Sequence, residues 1–289
     1  MSLQSYIFRH MCKKSDTARD AGLTTPDSIE RHDDLRYGQD PKWHTLDVYR
    51  PKQAAGKLPV IVSFHGGGWV YGTKEVYQYY CMSLAEHGFA VVNYNYRLAP
   101  KYRFPAPFED TNDVFHWIMA HAEQYGFDTD RIFAVGDSAG ALGIAVYACI
   151  LTNPAYAAKF SFLPPEGLRL RGLGLNCGLY STLDKKQDLL DFLPKQDPDT
   201  ALRNLHILDF ITPAFPPCYV MTATADFLRE EPKKLLPVLE RRGIRHTGQV
   251  CGDEQNPLGH VFHCNIRLDA AKALNDAECA FFSALADER

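Results

Sequence analysis

One serine stands where a serine could act as a nucleophile. Gly136-Asp137-Ser138-Ala139-Gly140 follows directly on the apolar run Ile132-Phe133-Ala134-Val135 and opens a stretch, Ala139 to Leu151, that is apolar almost all round. A strand, a tight turn and a buried helix in that order lift a hydroxyl above a sheet, beside a helix N-terminus whose dipole favours developing negative charge. The glycines at 136 and 140 let the turn close. A glycine-rich turn without chemistry would have the same local appearance, so the serine must be judged by its company. His65-Gly66-Gly67-Gly68-Trp69 follows another apolar run, Val60 to Phe64. Its three glycines free the backbone to turn N–H groups toward an acyl group. A linker or a phosphate loop is the alternative, but there is no GxxxxGK, and Tyr71 breaks any GxGxxG reading.

A nucleophilic serine needs an acid and a base, in the chain order Ser, Asp, His. Asp226 lies just beyond the strand-like run Cys218–Thr222, and His260 lies beyond the next one, Arg245–Val250. Both fall where ligand-facing loops of an open α/β sheet belong. Taken alone, Asp226 could cap a helix starting near Glu230. His263 rivals His260, and His260-x-x-His263-Cys264 with Cys251 upstream hints at zinc. The absence of HExxH and of any CxxC leads to the expectation of no metal and no cofactor. The His65 ring is expected to brace the glycines. Tyr77, Tyr79 and Tyr80 read as packing, Arg97 and Asp110 as structural contacts, and Arg229-Glu230-Glu231 as a solvated helix start.

Together these residues resemble the hormone-sensitive-lipase-like branch of the α/β-hydrolase fold, a family of esterases and lipases. Tyr96-Arg97-Leu98-Ala99-Pro100 with Phe104-Pro105-Ala106, Thr222 to Arg229, and Gly259-His260-Val261-Phe262 carry the same resemblance, which runs from about Leu46 to the C-terminus. Val261 departs from the glycine often found after the histidine. The resemblance implies Ser138 as nucleophile, His260 as base, Asp226 as its orienting acid, and the N–H groups of Gly67, Gly68 and Ala139 as the oxyanion hole. It implies an ester hydrolase. The HGGGW stretch is also similar to that of arylformamidases, and a few relatives of this fold are ligand-binding receptors that lack the histidine present here as His260. A cap is expected from about 1–40 and from 178–217, over one domain spanning 1–289. The insertion is proline-rich and partly charged, and Trp69 and Tyr71 add bulk, so short acyl chains are expected.

These residues need a frame to hold them. Unalternating apolar runs at Leu58–Phe64, Phe89–Val92 and Ile132–Val135 mark strands buried on both faces. Helical patterns at Lys74–His87, Pro107–Tyr125 and Ala139–Leu151 separate them, and further strands are expected at Leu168–Leu175, Cys218–Thr222 and Arg245–Val250. The result is an α/β, mostly parallel doubly wound sheet with helices on both faces. Trp43–Tyr49 reads as its edge strand, Arg267–Leu285 as a closing helix, 1–40 as polar and irregular with a helix near the start, and Asp184–Phe192 as a short helical piece. With 289 residues, 46% hydrophobic and 23% charged, the chain can bury a large core. A net charge of −4 leaves no basic excess for nucleic acid. Scattered cysteines, no signal-like segment and no long apolar run lead to the expectation of a cytoplasmic chain with free thiols and no membrane partner. The expected partner is a small-molecule ester; the oligomeric state stays open, a homodimer included.

Overall fold

The computed structural model describes residues 1–288. Eight strands form one sheet: β1 (Ile29–Arg36), β2 (Thr45–Pro51), β3 (Leu58–Phe64), β4 (Ala90–Tyr94), β5 (Phe127–Asp137), β6 (Leu170–Asn176), β7 (Cys218–Ala223) and β8 (His246–Cys251). The helices are α1 (Leu3–Asp20), α2 (Lys74–Ala85), α3 (Ala106–Ala120), α4 (Ala122–Tyr125), α5 (Ala139–Thr152), α6 (Pro154–Ala157), α7 (Pro198–Leu205), α8 (Pro232–Arg241) and α9 (Asp269–Asp287). The strand order is β1-β2-β4-β3-β5-β6-β7-β8, antiparallel at the first two pairings and parallel from β4 onward. This is the α/β-hydrolase architecture.

The continuous apolar runs are explained by burial from both sides. Val60, Val62 and Phe64 of β3 belong to one core cluster with Phe115 of α3 and Leu142 of α5. Ile61, between them, packs with Tyr77 and Leu84 of α2 and with Cys279 and Phe282 of α9. A period-2 strand that meets helices on each face has no polar side to show.

The chain moves from β3 outward to β4, then returns across β3 to β5. The order therefore reverses between β3 and β5, and a crevice opens there beyond the carboxyl ends of the strands. The loops leaving those two adjacent strands are the glycine run at 66–68 and the turn at Ser138. Phe64 is paired with Gly136, so both loops start at the same level.

Several sequence expectations are corrected. Residues 29–36 are neither irregular nor part of a cap: they form β1, the true edge, and β2 lies inside it. The sequence Ile-Glu-Arg-His-Asp-Asp-Leu-Arg hides the strand because only its first residue is fully buried and a bulge between His32 and Leu35 breaks the alternation. The pattern at 107–125 is two helices, broken at His121 (φ −110°, ψ 15°). Asp184–Phe192 is a succession of turns. The helix of that insertion is α7, where the Asp197 carboxylate caps the Thr200 N–H at 3.1 Å and Pro198 takes the first helical position. All eight cysteines are free. Among the described residues, no helix is long and apolar enough to cross a membrane.

Candidate active site

Ser138 joins β5 to α5 with φ 54° and ψ −116°, a backbone conformation that L side chains rarely adopt. Strain of that kind persists only where the surroundings over-determine it. Here the Ser138 N–H donates to the Asn176 carbonyl at 2.9 Å, tying the turn to the end of β6. A side chain at Gly140 would run into the Phe64 carbonyl, so α5 can start this close to β3 only with glycine there.

The loop after β3 is fixed as tightly. Gly67 has φ 113°, and a Cβ on it would collide with the Tyr71 carbonyl. The Val70 and Tyr71 N–H groups both donate to the Gly67 carbonyl, at 3.1 and 3.0 Å. His65 is fully buried, stacked on Tyr96 at 4.1 Å, with Nδ1 2.8 Å from the Gly66 carbonyl oxygen. Burial pushes its imidazole down to about 4, so the ring is neutral at pH 7. Gly66 N–H donates to Asp137 Oδ1 at 3.1 Å and to the Tyr77 hydroxyl at 3.0 Å, and that hydroxyl donates to Asp137 Oδ2 at 2.8 Å. The variable residue of the Gly-x-Ser-x-Gly turn thus braces the glycine loop. The sequence reading missed this role for Asp137 and took Tyr77 for packing; a pairing between an aspartate and a tyrosine so far apart in the chain leaves no local signal. Burial raises the Asp137 carboxyl to about 6, against the Tyr77 hydrogen bond that favours its charge.

Asp226 and His260 come together. His260 Nδ1 lies 2.7 Å from Asp226 Oδ1. The carboxylate also accepts the Leu228 N–H at 2.8 Å and the Thr222 hydroxyl at 2.9 Å. Burial works to raise this acid, yet the bond to His260, its charge and those two donors outweigh burial and hold it below the usual carboxylate value. Asp226 therefore caps no helix; α8 begins at Pro232. Phe227 covers the imidazole, ring centroids 4.1 Å apart.

His263 is placed differently. It is fully buried, edge-on to Tyr80 at 5.1 Å, and burial pushes its imidazole down to about 3. The histidines at 260 and 263 do not share a ligand set with Cys251. The donor atoms that gather fall into two other groups, Asp137 with His263 and Cys264, and Cys177 with Asp226 and His260. Val261, the departure noted in the sequence, sits at φ 53°, a left-handed position that favours glycine. Arg229-Glu230-Glu231 is not all solvated. The Glu231 carboxylate is buried and accepts the Tyr180 and Ser181 N–H groups at 2.9 and 2.8 Å.

A cavity of about 390 Å³ lies over the serine. Gly68, Trp69, Ser138 and Ala139 line its floor, and Phe227 and Leu228 one wall. Its cover comes from α1 (Ser5, Phe8) and from the insertion (Leu189, Asp191), which meet where Ser2 N–H donates to Asp191 Oδ2 at 2.7 Å. Trp69 is fully buried and stacks on Phe192 at 4.5 Å. Tyr71 faces away from this cavity and donates its hydroxyl to Asp16 of α1 at 2.8 Å.

The BD-FAE family model matches residues 46–157. A versiconal hemiacetal acetate esterase from Dothistroma septosporum is 38% identical over 37% of this chain and 33% of its own length. An ethyl acetate hydrolase from Pseudomonas putida is 40% identical over 40% of this chain and 37% of its own. These alignments span about a third of those relatives' own length. Among solved structures, esterase B of Lactobacillus rhamnosis inhibited by a C4-C4 tributyrin phosphonate superposes with a TM-score of 0.89 at 26% identity, over 98% of this chain and 94% of that one.

Proposed function

We propose that the chain is a hormone-sensitive-lipase-like esterase of the α/β-hydrolase fold and, from that premise, a serine carboxylesterase acting on short-chain acyl esters. Ser138 Oγ attacks the ester carbonyl carbon while His260 Nε2 takes the hydroxyl proton. Asp226 holds the imidazole with its proton on Nδ1 and stabilises the imidazolium that forms. The N–H groups of Gly67, Gly68 and Ala139 bind the oxyanion, where each such donor is worth about 10²–10³ in rate. His260 then gives its proton to the departing alkoxide, and water repeats the sequence to release the acid. The 2.7 Å bond between His260 and Asp226, beside the cavity that Ser138 lines, is the observation that carries this reading.

Residues 3–20 and 178–217 serve in this reading as the cover of a single hydrolase domain, and their chemistry supports the acyl preference. The cavity is at the small end of ligand pockets, which hold about 300–1,000 Å³. The Trp69 ring in its lining is held by its stack on Phe192, and Lys185, Gln187, Asp188 and Asp191 interrupt the apolar part of the cover made by Phe8, Leu189 and Leu190. A long chain gains about 0.8 kcal/mol per buried methylene only where apolar surface awaits it. Relatives named for acetate esters and a neighbour inhibited by a C4 phosphonate point the same way.

The test is kcat/KM for acetyl, butyryl, octanoyl and palmitoyl esters of one alcohol, with a formylated aniline alongside. A maximum at acetyl or butyryl is expected. A maximum at octanoyl or longer would overturn the short-chain reading, and faster cleavage of the formanilide would overturn the ester reading.

A further inference from the structure

Cys177 follows the last residue of β6 in a left-handed conformation, φ 48°, and donates its N–H to the Met221 carbonyl at 2.7 Å. That turn points the thiol at the loop after β7. Its Sγ, a carboxylate oxygen of Asp226 and a ring nitrogen of His260 all lie within 4.8 Å of one another. We propose that Cys177, Asp226 and His260 form an inhibitory site for a thiophilic divalent cation of the zinc and cadmium class. The proposal rests on the reading of Asp226 and His260 as the acid–base pair.

Thiolate, imidazole and carboxylate are the donors that zinc takes, at about 2.0–2.3 Å in tetrahedral sites. Ligand atoms at those distances sit about 3.3–3.8 Å apart, so the sulfur closes in by no more than about 1–1.5 Å while His260 Nδ1 and Asp226 Oδ1, 2.7 Å apart, open by about 0.6 Å to admit the ion. Outer contacts that orient a ligand are already made on Asp226, by the Thr222 hydroxyl and the Leu228 N–H. Access distinguishes this trio from the second one. Asp137, His263 and Cys264 are all buried, whereas the His260 side chain is 19% exposed. The partly exposed imidazole is the one member of the Cys177 trio that a cation can approach from solvent.

Binding has a defined proton balance. In the acid–base reading the imidazole carries its proton on Nδ1 and donates it to Asp226, 2.7 Å away. A cation taking the Nδ1 lone pair moves that proton to Nε2, and the thiol releases one proton to water as its sulfur coordinates. Nε2 then bears hydrogen and cannot accept the Ser138 proton. Hydrolysis stops while the serine and the oxyanion loop remain intact.

The experiment titrates the purified protein with cadmium in chelator-free buffer, reading ester hydrolysis and the ultraviolet cadmium–thiolate charge-transfer absorption together. One equivalent is expected to remove activity and raise the absorption, and excess EDTA to reverse both. Cys177→Ala and Cys177→Ser are expected to keep basal hydrolysis, lose the one-equivalent absorption and need at least about 10-fold more cadmium for inhibition. Cys12→Ser, which removes the most accessible thiol, is expected to leave both readouts unchanged. Equal inhibition of the Cys177 variants, or inhibition without the absorption, would overturn the site. A Cys177-dependent absorption with hydrolysis unimpaired would instead overturn the shut-off and the acid–base reading of His260 with it.

Discussion

The floor and the cover of the same cavity are built by opposite means. Its floor hangs on the sheet: Ser138 is hydrogen-bonded to the end of β6, Gly66 to Asp137 and Tyr77, and every one of these groups except the serine is buried. The cover is α1 and the 178–217 insertion, and the contrast lies in α1, because the insertion sets Leu189, Phe192, Leu202 and Leu205 into the core. No residue of α1 is fully buried, and Leu3, Tyr6, Ile7 and Met11 stand exposed. The helix is tied down by polar contacts, Asp16 to Tyr71, Arg19 to the Val76 carbonyl, and Ser2 to Asp191. Transition-state stabilisation demands donors fixed to within a fraction of an ångström, which only a packed core supplies. Enclosing a substrate demands less, and contact-poor elements open at low free energy. The difference predicts that changes in the floor strike turnover and folding, and changes in the cover strike substrate binding.

The largest expected effects fall on the floor. Ser138→Ala should reduce kcat/KM by at least about 10³-fold, leaving what oxyanion binding alone provides, and should abolish labelling by a fluorophosphonate probe. Labelling that persists undiminished would place the nucleophile elsewhere. His260→Ala should cost a similar factor with an unchanged melting temperature. His263→Ala, by leaving a hole in the core beside Tyr80, should lower stability by about 2–4 kcal/mol in denaturant unfolding. The reverse pattern would exchange the two roles.

The two neighbouring glycines divide the comparison within a single loop. Gly67→Ala drives a methyl into the Tyr71 backbone, whereas at Gly68 (φ 59°) it meets only Phe8 of α1, at 3.6 Å. Gly67→Ala should therefore destabilise the fold by about 3 kcal/mol or more, and Gly68→Ala by only the 1–2 kcal/mol or so of a left-handed backbone. Equal losses, measured by chemical unfolding, would mean that the loop is not clamped from beneath.

A buried acid gives the floor a pH signature. Glu278 of α9 accepts the Asn176 amide at 2.9 Å and the Tyr80 hydroxyl at 3.3 Å, and burial raises its carboxyl to about 7 from an ordinary 4.5. The folded state thus prefers the protonated acid. Its contribution is fully present below about pH 4.5 and is lost as pH rises through 7. Glu278→Gln should remove that slope and gain about 1–3 kcal/mol over the native chain at alkaline pH. A variant that loses stability equally at every pH would show that the carboxyl is not the titrating group. The smallest effect belongs to the cover. Asp191→Ala, which cuts the tie to Ser2, should raise KM a few-fold with kcat unchanged and cost no more than about 1 kcal/mol.

The sequence by itself determined the strands buried on two faces, because the near-continuous apolar runs at Leu58–Phe64 and Ile132–Val135 are buried from Val60 on in the first and throughout in the second. It also determined the turn at Ser138 and the glycine loop, whose geometry follows from small residues at fixed spacing. It did not determine β1, whose charged, bulged edge has no period to read, nor α7, which displaced the expected piece at 184–192. Tertiary structure alone decided the polar partnerships: Tyr77 with Asp137 and Gly66, Glu231 with the turn at 180–181, Glu278 with Asn176, and Cys177 beside Asp226 and His260. The physical reason is range. Burial and backbone conformation are written by neighbours a few residues apart, whereas a hydrogen bond between distant side chains depends on which strands lie side by side. The side-by-side packing of β3, β5, β6, β7 and β8 in one sheet brings the chain-distant residues that follow these strands to one edge.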